Sequence, residues 1–431
     1  MWSTFYGDLA FDPKKFGNPK DMVSNIYSTI TENYYVLIFP KQIASLHSRG
    51  FKVMVWIVPF CDQNATVYKE GSDRHFWVME SDEAGTLHPA GVKWWSNKDE
   101  RSAVLDVTNP HAVRWFVKRL QNFANEFGID GFKLDAGEIE YVPSPALQNI
   151  FYYDEEALGN GSQLLRYTQL YSSIVDEVSN YAEVRAAWQH QDTSHLLRVM
   201  DLDSKWGHDN GLEAMISRVL LFSTIGYRYV LPDMIGGNGY GPGIYSPNNC
   251  ITSILFKTLY ADGSIFAKET PPPELYIRWL QANVLMPMQL SIPPWRYSGT
   301  AFETHIDRVA KRIFEIRELL IEDRILALNH SISTGMPMIK ATWMDTISAE
   351  SNHIIGDQYM LGECIIVAPI LKNSTLQRDV YLPRGHWQTC YSSRGPVFFS
   401  DGIRPIRAVT LSLEDDPPCY RYIGVPRCKN F

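Results

Sequence analysis

The 431-residue sequence predicts an α/β fold, a parallel sheet wound with helices and followed by a small antiparallel β region. Six apolar, strand-like runs alternate with helical segments, the grammar of consecutive β–α units. The stretch Gly236 to Gly243 fails the G-x-G-x-x-G spacing of an open nucleotide-binding sheet and reads as a flexible loop. After about residue 340 the helical stripes stop, and short strands separated by Gly, Pro and Ser take over.

Taken in order, Ser48-Arg-Gly50 leads into the strand-like run Phe51 to Phe60. The next unit is the clearest. Thr108 or Asn109 can cap a helix whose first turn suits Pro110. Val113, Phe116, Val117, Leu120, Phe123, Ala124 and Phe127 then form its apolar stripe. Gly128 ends it, and Ile129 to Asp135 is the strand that follows. A helix from Ser162 to Asn180 precedes a strand from Tyr181 to Ala187, and Leu196 to Asp201 is another strand. The helix over 212–225 precedes Tyr227 to Asp233, and the helix from Pro273 to Met286 precedes Met288 to Ile292. In the C-terminal region, Cys364 to Ala368 and Asp379 to Leu382 are strands of a small antiparallel domain.

Composition narrows the function classes. Hydrophobic residues make up 45% and charged residues 20%, as in a folded globular protein. A formal net charge of −8 leaves no basic surplus to displace phosphate counterions, which excludes a nucleic-acid partner. The 12 Trp and 23 Tyr supply flat faces with polar edges, as sugar rings require, although most belong to the core. Cys61, Cys250, Cys364, Cys390, Cys419 and Cys428 show no zinc-finger spacing, so no structural metal is expected, while disulfides are permitted. No apolar run reaches the roughly 18–20 residues of a membrane helix. Sequons at Asn64, Asn160, Asn329 and Asn373 hint at a secretory route.

Three of the strand candidates end in an aspartate: Asp135, Asp201 and Asp233. One such residue is a loop starter. Three together point to a shared acidic site at the C-terminal ends of parallel strands, where barrel chemistry sits. Strand alternation puts Phe132 and Leu134 on one face and Lys133 with Asp135 on the other. A buried lysine needs a carboxylate partner, so Lys133 is expected to contact one and to help keep Asp135 ionised. Two carboxyl groups flanking one bond are what glycoside hydrolysis requires: one attacks the anomeric carbon, and the other protonates the leaving oxygen and later activates water.

Gly131-Phe-Lys-Leu-Asp-Ala-Gly-Glu138 resembles the nucleophile motif of glycoside hydrolase family 31. Tyr6 to Asp12, Lys93-Trp-Trp95, Leu105 to Pro110, Leu231 to Gly237 and Gln289 to Trp295 resemble the α-galactosidase-like branch of that family, in the right order over nearly the whole chain. The resemblance implies a (β/α)8 TIM barrel with β-sandwich additions, a retaining mechanism, and no cofactor or metal. It makes Asp135 the nucleophile and Asp201 the acid/base, five residues before Trp206, with Asp203 and Asp209 as rivals. Arg185 matches an arginine that holds a sugar hydroxyl, and Asp233 a carboxylate that shapes the sugar site. Trp95 and Trp295 match pocket-lining positions, and Lys133 joins them as substrate-binding. Trp295 stands where α-glucosidases carry an Arg-Asn-His segment, which favours α-galactosides.

The chain departs from that pattern twice. It begins after the first two expected barrel strands, and some twenty residues around 24–43, rich in β-branched and aromatic types, read as an insertion. The expected domains are a partial barrel over 1–335 and a β-sandwich-like domain over 336–431. The expected function is hydrolysis of terminal α-galactosides in an oligosaccharide or glycoconjugate. The alternatives are an α-glucosidase, or a non-catalytic sugar-binding relative. The resemblance places the protein in the secretory pathway, with any targeting segment upstream of Met1.

Overall fold

The computed structural model describes residues 2–12, 39–94, 101–142, 163–238, 270–344, 356–391 and 395–424. Trp95, Asn160, Cys250, Cys428 and most of the expected insertion lie outside them. The chain divides into two compact units, Met1–Leu197 and Arg198–Phe431.

In the first unit, helix α1 (Phe39–Ser48) precedes β1 (Met54–Ile57) and β2 (Phe60–Cys61). The single expected strand over 51–60 thus breaks in two at Pro59, which has no N–H for a ladder. Helix α2 (Tyr68–Asp73), the hairpin β3 (Met79–Ser81) and β4 (Leu87–Pro89), β5 (Gly91–Val92) and β6 (Ser102–Val104) follow. Helix α3 (Pro110–Phe127) starts where expected, with the Asn109 side chain accepting from the N–H groups of His111 and Ala112. It ends at Gly128, which adopts a left-handed φ of 71°. β7 (Gly131–Leu134) comes next.

The expected helix over 162–180 is two helices, α4 (Gln163–Ser173) and α5 (Val175–Val178). Ser172 and Ser173 donate their hydroxyls to the carbonyls of Gln169 and Leu170, a local bonding that competes with the helix ladder. β8 (Tyr181–Val184) and β9 (Leu196–Arg198) complete a parallel set ordered β1, β7, β8, β9. In register, Lys133 lies between Trp56 and Glu183. Phe132 and Leu134 are buried, and Phe132 packs 6.5 Å from the Phe123 ring of α3. The expected alternation of β7 therefore holds, with the apolar pair toward the helix.

In the second unit, helix α6 (Leu212–Thr224) leads to β10 (Val230–Leu231), and the Val199 N–H just past β9 donates to Leu231. The expected strand at 288–292 shrinks to one parallel bridge between Met234 and Gln289, bracketed by Pro287 and Pro293. Helix α7 (Pro273–Ala282) stops short of Met286; Arg317 from helix α8 (Glu303–Leu319) accounts for the end by donating to the carbonyls of Asn283, Val284 and Met286. After helix α9 (Ile321–Thr334) the described residues form the short strands β11 (Ile339–Lys340), β12 (Tyr359–Leu361), β13 (Ile365–Val367), β14 (Gln377–Val380), β15 (Gly385–Thr389), β16 (Phe398–Ser400), β17 (Ile406–Thr410) and β18 (Cys419–Tyr422). Six form an antiparallel sheet ordered β11, β12, β13, β18, β15, β16, while β14 pairs with β17. Its core gathers Met360, Ile366, Val380, Leu382 and Trp387, and a disulfide joins Cys390 to Cys419. Buried Arg278 of α7 donates to the carbonyls of Thr375, Leu411 and Ser412, fastening helix to β region.

Candidate functional site

Asp135 stands one residue beyond β7, its N–H donating to Ile57 and its side chain 11% exposed. Directly after it the backbone turns through left-handed conformations at Ala136 (φ 57°) and Gly137 (φ 93°). Two contacts hold this turn. Tyr171 donates its hydroxyl to the Asp135 carbonyl at 3.1 Å, and Thr168 donates to the Gly137 carbonyl at 2.8 Å. The aspartate is therefore presented on a turn fixed from below by α4.

Arg185, one residue past β8, is the cation beside it. Its Nη1 donates to Asp135 Oδ1 at 3.2 Å, its Nε pairs with Glu138 Oε1 at 2.8 Å, and its Nη2 donates to the Tyr141 hydroxyl at 3.3 Å. The Trp94 ring lies under the guanidinium at 5.9 Å and meets the Tyr141 ring edge-on at 4.9 Å. Burial pushes the Glu138 carboxyl above its ordinary range, with Arg185 pulling it partly back. Lys133 does meet a carboxylate, but it is Glu183, its register partner, at 3.6 Å. The positive charge at Asp135 comes from Arg185 instead, because Asp135 lies two residues past Lys133, at the level of Arg185 and not of Glu183.

The second unit holds the other acids. Arg198 at the end of β9 is 1% exposed, and its Nη1 donates to Asp201 Oδ1 at 2.8 Å and to Asp233 Oδ1 at 2.7 Å. Asp233 is 0% exposed, with a left-handed φ of 73°, and its Oδ2 accepts from the Leu202 N–H at 2.7 Å and from Asn238 Nδ2 at 2.6 Å. Burial raises its carboxyl pKa, and Arg198 and the Leu202 N–H oppose that rise. The Asp201 side chain keeps 28% exposure. The rivals are engaged elsewhere: Lys205 pairs with Asp203 at 2.9 Å and with Asp209 at 2.7 Å. Trp295, on a short 3-10 helix, is 70% exposed.

Lys133, Asp135 and Arg185 thus gather in one unit, and Asp201 and Asp233 in the other. Sequence reasoning missed Glu138, Tyr141, Trp94, Glu183, Arg198 and Asn238. Glu138 closes the Gly131–Glu138 motif and Trp94 adjoins Trp95, so both were within reach. Arg198, a charge inside an apolar strand three residues before Asp201, was a signal of the same kind. Among the described residues, no cluster of three or more His, Cys, Asp or Glu could hold a metal, and no helix is long and apolar enough to cross a membrane.

Residues 1–323 match the TIM-barrel domain of glycosyl hydrolases family 31, and residues 335–418 match that family's C-terminal domain. The myogenesis-regulating glycosidase of Mus musculus is 32% identical over 402 residues, covering 92% of this chain and 47% of the relative. The SITS-binding protein of Tetronarce californica is 23% identical over 373 residues, covering 85% of this chain and 47% of the relative. The chain spans about half the length of these curated relatives. Its fold is shared with a cycloalternan-degrading enzyme from Trueperella pyogenes, solved in complex with a covalent intermediate, at a TM-score of 0.69 and 20% identity over 91% of this chain and 51% of that one.

Proposed function

Because the chain belongs to glycoside hydrolase family 31, with that family's TIM-barrel and C-terminal domains, we propose that it is a retaining α-glycosidase acting on terminal α-galactosides. The observation that carries this reading is the Asp135–Arg185 pair. It sets a carboxylate beside a guanidinium, on a fixed turn at the C-terminal end of a parallel strand, where a nucleophile is expected. Asp135 attacks the anomeric carbon while Asp201 transfers its proton to the departing glycosidic oxygen, leaving a glycosyl ester and a free alcohol. Asp201, now a carboxylate, takes a proton from water, and the resulting hydroxide displaces Asp135. Two inversions at carbon give net retention. The covalent intermediate solved in the Trueperella enzyme supports this course. Lys133, Arg185, Trp95 and Trp295 are the substrate-binding residues in this reading.

The test compares aryl α-galactoside with aryl α-glucoside, with the product anomer followed by NMR. Faster turnover of the galactoside, with the α anomer released first, is expected. Preference for the glucoside would sink the sugar assignment, and a β product would sink retention. Asp135→Ala and Asp201→Ala should each lower turnover on the order of 10^4-fold.

A second reading is binding without turnover, since one relative is named as a SITS-binding protein and not as a hydrolase, with a sugar as the ligand in this chain. Saturable galactose binding with no hydrolysis of either substrate would select it.

The barrel is assigned to 1–335 and the C-terminal β domain to 336–431. A secretory compartment is the proposed location, supported by the Cys390–Cys419 disulfide and by exposed sequon asparagines at Asn64, Asn329 and Asn373. A gel shift of the native protein on N-glycan removal is the expected outcome; an unshifted band with reduced thiols would overturn it.

A further inference from the structure

Arg198 serves two carboxylates unequally. Asp233 has no exposed surface, and Arg198, the Leu202 N–H and Asn238 are among its donors. Asp201 meets the same guanidinium at 2.8 Å while keeping an exposed edge. These donors oppose the cost of burying the Asp233 carboxylate, and Arg198 is the one that carries a full charge. A fully buried Asp233 also has no surface with which to touch a sugar, whatever role the family resemblance gives that position.

We propose that Asp233 is a positioning residue for proton transfer: its fixed negative charge neutralises Arg198, so that Asp201 can hold a proton while in hydrogen-bond contact with a guanidinium. This rests on the reading of Asp201 as the acid/base. An unbalanced guanidinium at 2.8 Å would keep Asp201 ionised, and an ionised group has no proton to give the leaving oxygen. With Asp233 charged, Arg198 and Asp233 cancel, and Asp201 faces a net-neutral pair. Once the proton has moved to the leaving oxygen, Arg198 is already in place to bind the new Asp201 carboxylate. Elsewhere in the loop after β9, Lys205 pairs with Asp203 and Asp209, and His208 pairs with Glu213 of α6 at 2.8 Å.

The proposal gives two substitutions opposite signs. In Asp233→Asn, Arg198 loses its counter-charge, so the basic limb of kcat/KM against pH should move down by roughly one to three pH units. In Arg198→Met, Asp201 is left beside a negative charge and the limb should move up. The charge-free pair Arg198→Met with Asp233→Leu should return the limb toward the wild-type position. A glycosyl fluoride, whose fluoride departs from the anomeric carbon with little need of a proton, should blunt both shifts. A merely structural role would lower kcat without moving the limb, and that outcome overturns the proposal. If Asp233→Asn does not fold, an unmoved limb in Arg198→Met overturns it equally. Asp201→Ala assayed alongside separates the two levels. Full activity there removes the acid/base reading itself, whereas an inactive Asp201→Ala with immobile limbs in the other variants removes only the counter-ion role.

Discussion

Arg185 Nη1 lies 3.2 Å from Asp135 Oδ1, and both side chains come from the first residue beyond neighbouring parallel strands. Parallel strands in matched register deliver the same level of adjacent chains to one face, so a cation one step past β8 falls beside an acid one step past β7. The same guanidinium reaches Glu138 and Tyr141 with its other nitrogens, which fixes its plane.

Arg185→Lys should therefore be far from conservative. A lysine keeps the charge but cannot bridge Asp135, Glu138 and Tyr141 at once. The expected loss in kcat/KM is about 10^2-fold, with the folded state retained. Arg185→Met should in addition lower stability by roughly 3–5 kcal/mol, since two buried carboxylates lose their cation. Steady-state kinetics and chemical denaturation check the pair. Wild-type kinetics in Arg185→Lys would show that the guanidinium fork has no bearing on Asp135.

Acid should weaken the first unit through His195. Its side chain is 6% exposed and lies 3.2 Å from Asp176, whose other oxygen contacts His190 at 3.0 Å. Burial holds the His195 pKa below its ordinary value, only partly offset by Asp176. A lowered folded-state value means that the stabilisation is present above the unfolded pKa of about 6.5 and is lost as pH falls through the folded one. Melting temperatures taken from pH 7 downward should drop less steeply in His195→Gln than in wild type. Parallel curves would show that His195 does not titrate on unfolding.

What the sequence disclosed of this site was its local part. Alternation along β7 separates Phe132 and Leu134 from Lys133 and Asp135 without any knowledge of neighbours, and the structure keeps that division. The Asn109 cap and the Gly128 stop of α3 were legible for the same reason, since capping is decided within one turn. Partners across strands were not legible. Whether Lys133 meets Asp135 or Glu183 depends on the register of β7 against β8, which no stretch of sequence fixes alone. Strand lengths were overestimated where prolines sit, at Pro59 and around Gln289, because apolar content outlasts the ladder.

The Cys390–Cys419 bridge closes a loop with a sequence separation of 29 in the C-terminal sheet. Loop-closure entropy assigns it about 3.6 kcal/mol. Replacing both cysteines by serine should lower the melting temperature of the C-terminal region by several degrees, read by circular dichroism, and a reductant should do the same to wild type. Unchanged melting under both treatments would mean that the β sheet holds without the cross-link.

Gly137→Ala offers the sharpest test of how the Asp135 turn is built. A Cβ at this position would stand 2.3 Å from Tyr171 Cδ1, and φ is already 93°, where side chains are strained. Tyr171 is buried to 1% exposure and bonds the Asp135 carbonyl, so it has no room to yield without shifting the turn. Overpacking and the positive φ together should cost about 2–4 kcal/mol of stability. Tyr171→Phe keeps the ring and removes only the hydroxyl, so it should cost about 1 kcal/mol. Activity should follow a different order from stability alone: Gly137→Ala displaces Asp135 from its place beside Arg185 and should lose most of its kcat even well below its melting temperature. Tyr171→Phe should retain most of it. If Gly137→Ala proves as active as Tyr171→Phe at a temperature where both are folded, the turn does not govern the aim of Asp135.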